Sequence, residues 1–254
     1  WQANMKKITA GVLTITFLTY MFFVTTASAA GTFVQSNTSD GFTYVDLTGV
    51  GAGNLIVLWI KWEGTTTGGA TVSDGTSSLT MGTLSDPGNN TVGQFAYLLS
   101  ANGGNKTYTV TFPSGYAYPR LRIAEFSYSG TVSLDAQNIG SGNSTACASG
   151  NIATTGTDEI VLGGYAEYSS NVLSSPLING AASTFISGGT YGKMWYSILT
   201  ATFSSGNASA TLNGNSNWVC NIIAFKVTAA STERGKATVG NATVTLPTGI
   251  LLIN

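Results

Sequence analysis

Beyond residue 30 no stretch repeats apolar side chains at helical spacing over three turns. The chain shows instead short runs of two-residue alternation, rich in Val, Ile, Thr, Tyr and Phe. Successive side chains of an extended strand point to opposite faces, so each such run can bury one face. The spacing predicts strands over 42–47, 55–62, 70–73, 92–100, 106–112, 121–128, 151–155, 159–168, 193–203, 208–212 and 218–227. Between runs fall "SDGT" (73–76), "DPGNN" (86–90), "NGGN" (102–105) and "SSGN" (204–207), whose residues supply turn geometry. Many short strands with regular turn signals define an all-β sandwich or barrel.

The strands also repeat. After "NLIVLWIKWEG" (54–64) come "QFAYLLSA", "NKTYTVTF" and "RLRIAEFSY"; after "DEIVLGGYAEY" (158–168) come "MWYSILTA", "NASATL" and "VCNIIAFKV". Four phrases recur in one order about 100 residues apart, too long a period for a solenoid. The expected architecture is a two-sheet antiparallel β-sandwich, jelly-roll-like, built from two pseudo-symmetric Greek-key halves whose inner faces meet. Within 55–62, Ile56, Leu58, Ile60 and Trp62 should face the core. Their complement, Leu55, Val57, Trp59 and Lys61, is still largely apolar, which points to a central strand covered on both sides.

The first 30 residues read differently. Met5-Lys6-Lys7 opens a basic start, an apolar run follows to about Val24, and Ala27-Ser28-Ala29 offers a cleavage triplet. Residues 1–30 are therefore read as a few upstream residues plus a secretory signal, which places the protein outside the cell or at its surface. Loss of Lys6 and Lys7 from the ten basic residues leaves eight against eleven acids, a formal charge of −3. Charged residues are 8 % of the chain, against about 25 % in an average domain. A weakly acidic chain so poor in Lys and Arg lacks the electrostatic footprint of a nucleic-acid binder or a membrane-surface helix. With 43 % hydrophobic and 11 % aromatic residues it is not a disordered chain either.

Residues 31–228 form the expected sandwich domain. Its two cysteines, Cys147 and Cys220, suit one disulfide in an oxidising compartment, closing a loop of about 73 residues; two buried thiols are the alternative. Residues 229–254 read as a linker, with "TERGK" (232–236), and a strand-like tail of two pieces around Pro247-Thr248-Gly249. That tail suits the start of a truncated second module, a strand pair docked on its own sandwich, or a strand donated to another subunit.

"GNLIVLWIKW", "VSDGTSSL", "GNKTYTVTF", "YPRLRIAEFSYSG", "SLDAQNIGSGNS", "IATTGTDEIVLGG" and "NWVCNIIAFKV" stand in an order that resembles a jelly-roll-like β-sandwich module recurring in secreted, often multidomain, bacterial and archaeal proteins. The resemblance spans about residues 33–228. It implies the fold and an accessory, adhesive or surface role, and it carries over no catalytic residue.

Chemistry is constrained by what is missing. The chain contains no histidine, which removes Ser-His-Asp and Cys-His catalysis and imidazole metal sites. A carboxylate pair of the glycosidase kind is the remaining catalytic option, with Glu63, Glu125 and Glu167 on strands. Each is more simply an edge residue or a hydrogen-bonded interior group, so no catalytic residue and no cofactor is assigned. Glu125 shares a face with Leu121 and Ile123, and a buried carboxylate there needs donors. Structural calcium is chemically compatible with Asp40, Asp46, Asp74, Asp86 and Asp135, although no spaced loop motif joins them. Sugar rings stack on exposed aromatic faces. Trp59, Trp62, Trp195 and Trp218 lie inside strands and read as core. Tyr116 and Tyr118 in "SGYAYP" and Tyr191 in "GGTYGK" read as loop residues and are the candidate ligand-binding side chains. The expected role is a non-enzymatic extracellular binding or adhesion module for a polysaccharide or cell-surface glycan. A sheath or filament subunit assembling through the tail is the alternative.

Overall fold

The computed structural model describes residues 31–64, 68–187 and 191–229, together with two strands further on. The signal-peptide reading and residues 247–254 lie outside the described residues. The first half holds β1 (Thr32–Asp40), β2 (Tyr44–Val50), β3 (Leu55–Glu63), β4 (Thr71–Ser73), β5 (Thr80–Met81), β6 (Thr91–Leu98), β7 (Gly104–Thr111) and β8 (Ala117–Ser127). The second holds β9 (Thr131–Ala148), β10 (Asp158–Glu167), β11 (Leu173–Ile178), β12 (Ala181–Ala182), β13 (Thr184–Ser187), β14 (Gly192–Leu199) and β15 (Ala208–Thr228). A tail hairpin pairs β16 (Gly235–Val239) with β17 (Ala242–Leu246). Every paired strand is antiparallel, so the all-β, antiparallel class is as expected.

The repeat has a structural counterpart. In the first half one sheet runs β1-β8-β3-β6-β5 and a second runs β2-β7-β4. In the second half β9-β15-β10-β14-β13 follows the same order, with β11 on the early part of β15. Two strand pairs of the first half are fused in the second. β15 combines the counterparts of β7 and β8 in one bent strand whose register shifts between Thr211 and Ser216, and β9 bends with it.

The layering differs from a single sandwich whose two inner faces meet, because each half makes an interior of its own. Ile56, Leu58, Ile60 and Trp62 pack with Val45, Leu47, Val72, Tyr108 and Val110 inside the first half. Val161, Tyr165, Trp195, Leu212, Trp218 and Ile222 do the same inside the second. A third cluster joins the halves back to back, with Leu55, Val57, Trp59, Phe95 and Phe126 against Ile160, Leu162, Met194, Val219 and Phe225. This seam explains why β3 and β10 are apolar on both faces and buried along almost their whole length.

Trp59 is the centre of the seam. Its ring lies across Gly93 and Gly164, where an added Cβ would come within 2.4 and 2.5 Å of it. Its Nε1–H donates across the seam to the Tyr165 carbonyl at 2.9 Å. Arg122 Nε donates to the Gly192 carbonyl at 2.9 Å, and Ser36 Oγ to the Ile186 carbonyl at 2.9 Å. These bonds fix how the two halves sit on each other.

The expected disulfide is not formed. Cys147 and Cys220 are free and buried, both facing the interior of the second half. They sit on different legs of the bent β9–β15 pair, Cys147 opposite Ala210 and Cys220 opposite Gly140, and are not cross-strand partners. Cys220 Sγ instead donates to the Ala208 carbonyl at 3.5 Å. Burial, with Cys147 beside it, pushes the Cys220 thiol well above its usual range. Titration with an aromatic disulfide reagent without reductant should therefore find two thiols per chain in denaturant and none reacting promptly in the native state. Finding no thiol after unfolding would restore the bridge.

In the tail, β16 and β17 pair as antiparallel strands and β16 takes in the last two residues of the "TERGK" segment, while the expected turn at Pro247-Thr248-Gly249 lies outside the described residues.

Candidate functional site

Antiparallel pairing brings the end of one strand beside the start of its neighbour. In the first half the end of β3 meets the start of β8, with Lys61 opposite Arg120 and Glu63 opposite Ala117. In the second the end of β10 meets the start of β14, with Ala166 opposite Gly192. The seam stacks these two strand ends on the same edge of the molecule. An added Cβ on Gly192 would lie 3.4 Å from the Lys61 Cβ and 3.5 Å from that of Arg120, so β14 runs close over both.

The result is a cleft of about 310 Å³ lined by Glu63, Tyr118, Arg120, Tyr168 and Tyr191. Tyr118 and Tyr168 are 65 % and 56 % exposed, large values for aromatic rings. Tyr118 also has a φ of 48°, in the left-handed region that costs an ordinary L-residue about 1–2 kcal/mol. Strain of this kind concentrates where a side chain's direction matters.

The floor of the cleft is charged. Lys61 is fully buried and ion-paired with Glu63. Burial pulls the Lys61 ammonium below its usual range, and Glu63 acts against that pull. The Arg120 guanidinium carbon lies 5.3 Å from the Tyr191 ring centroid and Lys61 Nζ 5.7 Å from it, both within cation–π range. Arg120 Nη1 donates to the Pro119 carbonyl at 3.0 Å, and its Nε lies 3.6 Å from Asp40 Oδ1. Asp40 is also held by Arg122 Nη1 at 2.7 Å. Tyr191 is thus a support for two cations, while Tyr118 and Tyr168 are the open rings.

Two of the three tyrosines singled out from sequence, Tyr118 and Tyr191, come together here. Tyr118 lies on β8 rather than in a loop. Tyr116 does not join them; it stacks on Phe112, with centroids 4.5 Å apart at 18°, outside the cleft lining. Trp59, Trp62, Trp195 and Trp218 are buried, as their strand positions implied. Arg120, Lys61 and Tyr168 were not singled out. For the two cations the signal was the scarcity of basic residues: three of these fall at 61, 120 and 122, on strands that pair.

Glu125 stands apart from the other two strand glutamates. Glu125 is fully buried and accepts hydrogen bonds from the Gly51 amide (2.7 Å), Asn54 Nδ2 (2.6 Å) and Gln35 Nε2 (2.5 Å). It lies opposite Ile56, seven β3 residues from Glu63, or about 23 Å along the strand. Glu167 is fully buried and accepts from Asn171 Nδ2 at 3.0 Å, and burial pushes its carboxyl up. Only Glu63 reaches the cleft. The aspartates weighed for calcium are dispersed: Asp46 accepts from Thr107, Asp74 from the Thr76 and Ser77 amides, Asp86 from the Gly88 amide and Asp135 from Thr155. No cluster of three or more potential metal-ligating side chains occurs among the described residues.

Comparison with protein-family models, with curated proteins and with solved structures finds no match to this chain.

Proposed function

We propose that this protein is a secreted or surface-exposed binding module, without catalysis, that holds a polysaccharide or surface glycan in the seam cleft. The observation that carries the reading is the pair of open rings, Tyr118 and Tyr168, beside hydrogen-bonding groups on Glu63 and Arg120. A saccharide offers apolar C–H faces to aromatic rings and hydroxyl groups to fixed polar side chains, so this combination suits it. The signal-like start and the sparse charge of residues 31–254 support work outside the cell. A jelly-roll-like wrapping of each half is the finer topology that goes with this reading.

The test is a glycan array and polysaccharide pull-down with the chain from residue 31, compared with a Tyr118→Ala/Tyr168→Ala double variant. Loss of two stacking rings should weaken binding by at least about tenfold, near 1.4 kcal/mol, with an unchanged circular dichroism spectrum. Silence across the array, or equal binding by the variant, would end the reading.

A further inference from the structure

We infer that the seam cleft selects an acidic saccharide, one bearing carboxylate groups such as a uronate polymer, over a neutral one; this rests on the saccharide reading above. The chain is acidic overall, yet three of its basic side chains, Lys61, Arg120 and Arg122, gather at this one strand end. Two acids face them: Glu63, paired with Lys61, and Asp40, shared between Arg120 and Arg122. Lys193, next along β14 from Gly192, and the buried Glu167 also lie within electrostatic reach, so four cations stand against three anions and an excess of one positive charge remains. Glu167 is fully buried, its amide donates to the Tyr191 carbonyl and its carboxylate accepts from Asn171.

Of these cations Arg120 is the one that lines the cleft. Arg122 and Lys61 are fully buried, and each is committed to a partner. Arg120 shares Asp40 with Arg122, has its plane supported by the Tyr191 ring and one nitrogen tied to Pro119, and is partly exposed, so little further side-chain freedom is lost when it meets a ligand. Its Nε is buried and faces Asp40 Oδ1 at 3.6 Å, so the donors it can offer to the cleft are on the Nη nitrogens. A planar guanidinium held in place, with Nη protons beyond the one given to Pro119 and a local cation excess, matches a planar carboxylate. The neighbouring Tyr118 and Tyr168 would take the ring that carries it. A neutral sugar would leave the excess charge uncompensated in a half-enclosed site.

The experiment compares polymers that differ only in charge. Polygalacturonate and its carboxyl-reduced counterpart, a neutral galactan of the same backbone, are titrated calorimetrically into the chain from residue 31. The expected result is binding of the acidic polymer at least about tenfold tighter than the reduced one, with the margin shrinking as salt rises. Arg120→Gln should bring the two affinities together, whereas Tyr118→Ala should weaken both and keep their ratio. Because the two polymers are compared on the unmodified protein, the result does not depend on any variant folding. Equal or tighter binding of the reduced polymer overturns the acidic preference and leaves the saccharide reading standing. Binding of neither, together with array silence, removes both. Poly-glutamate binding as tightly as polygalacturonate would show a plain anion site and overturn the inference as well.

Discussion

Trp59→Ala is expected to destabilise the protein by about 3–5 kcal/mol, the range for emptying a fully buried aromatic site. For a domain of this size that is a fall in Tm of about 6–20 °C. The side chain occupies a slot between Gly93 of β6 and Gly164 of β10, and neither glycine has a side chain to collapse into the void. Phe95, whose ring centroid is 4.8 Å away, would lose its main contact. The Tyr165 carbonyl would lose the indole donor that crosses the seam, and an unpaired buried acceptor costs about 1–3 kcal/mol by itself. Because the seam is one face of both halves, calorimetry should show the whole transition moving down, not the melting of one half alone. Gly164→Ala probes the same slot from the other wall: its Cβ would stand 2.5 Å from the Trp59 ring, backed by strands that cannot move aside. If Trp59→Ala costs less than about 1 kcal/mol, the two halves are not joined as described.

The seam also marks the limit of what the sequence could disclose. The two faces of β3 were legible, because alternation assigns Ile56, Leu58, Ile60 and Trp62 to one side without any knowledge of the partner. What covered the other side was not, because apolar side chains against a second sheet and against loops look alike in one strand. The repeat was legible in order but not in register. Matched letter by letter, Val57 falls on Val161, yet Val57 faces the seam and Val161 the interior of the second half. The structural equivalents are Leu55 and Ile160, each opposite a seam phenylalanine, Phe126 and Phe225. A slip of one residue reverses every side chain. β9 was missed because "NIGSGNS" within it reads as turn chemistry; its conformation comes from pairing along β15 and not from intrinsic preference. β15 was split in two for the same reason, at "NGNSN", which the strand carries as a bend. Of the cleft, Tyr118 and Tyr191 were visible as aromatics beside Pro119 and Gly192. Their meeting with Arg120 was not, since it arises only where two sheets from different halves end on the same edge.

Stability should also fall as pH rises from about 4.5 to 8, because of one buried carboxyl. Glu159, the second residue of β10, is fully buried. Its Oε1 accepts the Gly156 amide at 2.8 Å, while its Oε2 has no donor. Facing it are Asp135, whose two oxygens accept from the Thr155 hydroxyl and amide, and Lys226, whose Nζ lies 3.9 Å from Asp135 Oδ1 and donates to Thr155 Oγ1 at 3.1 Å. Burial, then the hydrogen bond Glu159 shares with Asp135, pushes the Glu159 carboxyl up to about 8 from an ordinary 4.5. While protonated, Glu159 can donate to the Asp135 carboxylate; once ionised, it sets two carboxylates against each other. A carboxyl whose pKa rises on folding stabilises the native state in full below its unfolded value and loses that contribution as pH climbs through the folded one. The slope is at most about 1.4 kcal/mol per pH unit for one proton. Asp135 runs the other way: despite burial, the Thr155 bonds and the Glu159 proton hold its carboxyl below the usual range, so its contribution is lost only in stronger acid. The two windows are separate. Glu159→Gln keeps a donor toward Asp135 and has nothing to titrate, so the difference between wild type and variant isolates this group from other buried acids such as Glu167. Urea unfolding at pH 5 and pH 8.5 should show the variant gaining on wild type at the higher pH, and parallel curves would mean that Glu159 is already ionised at pH 5.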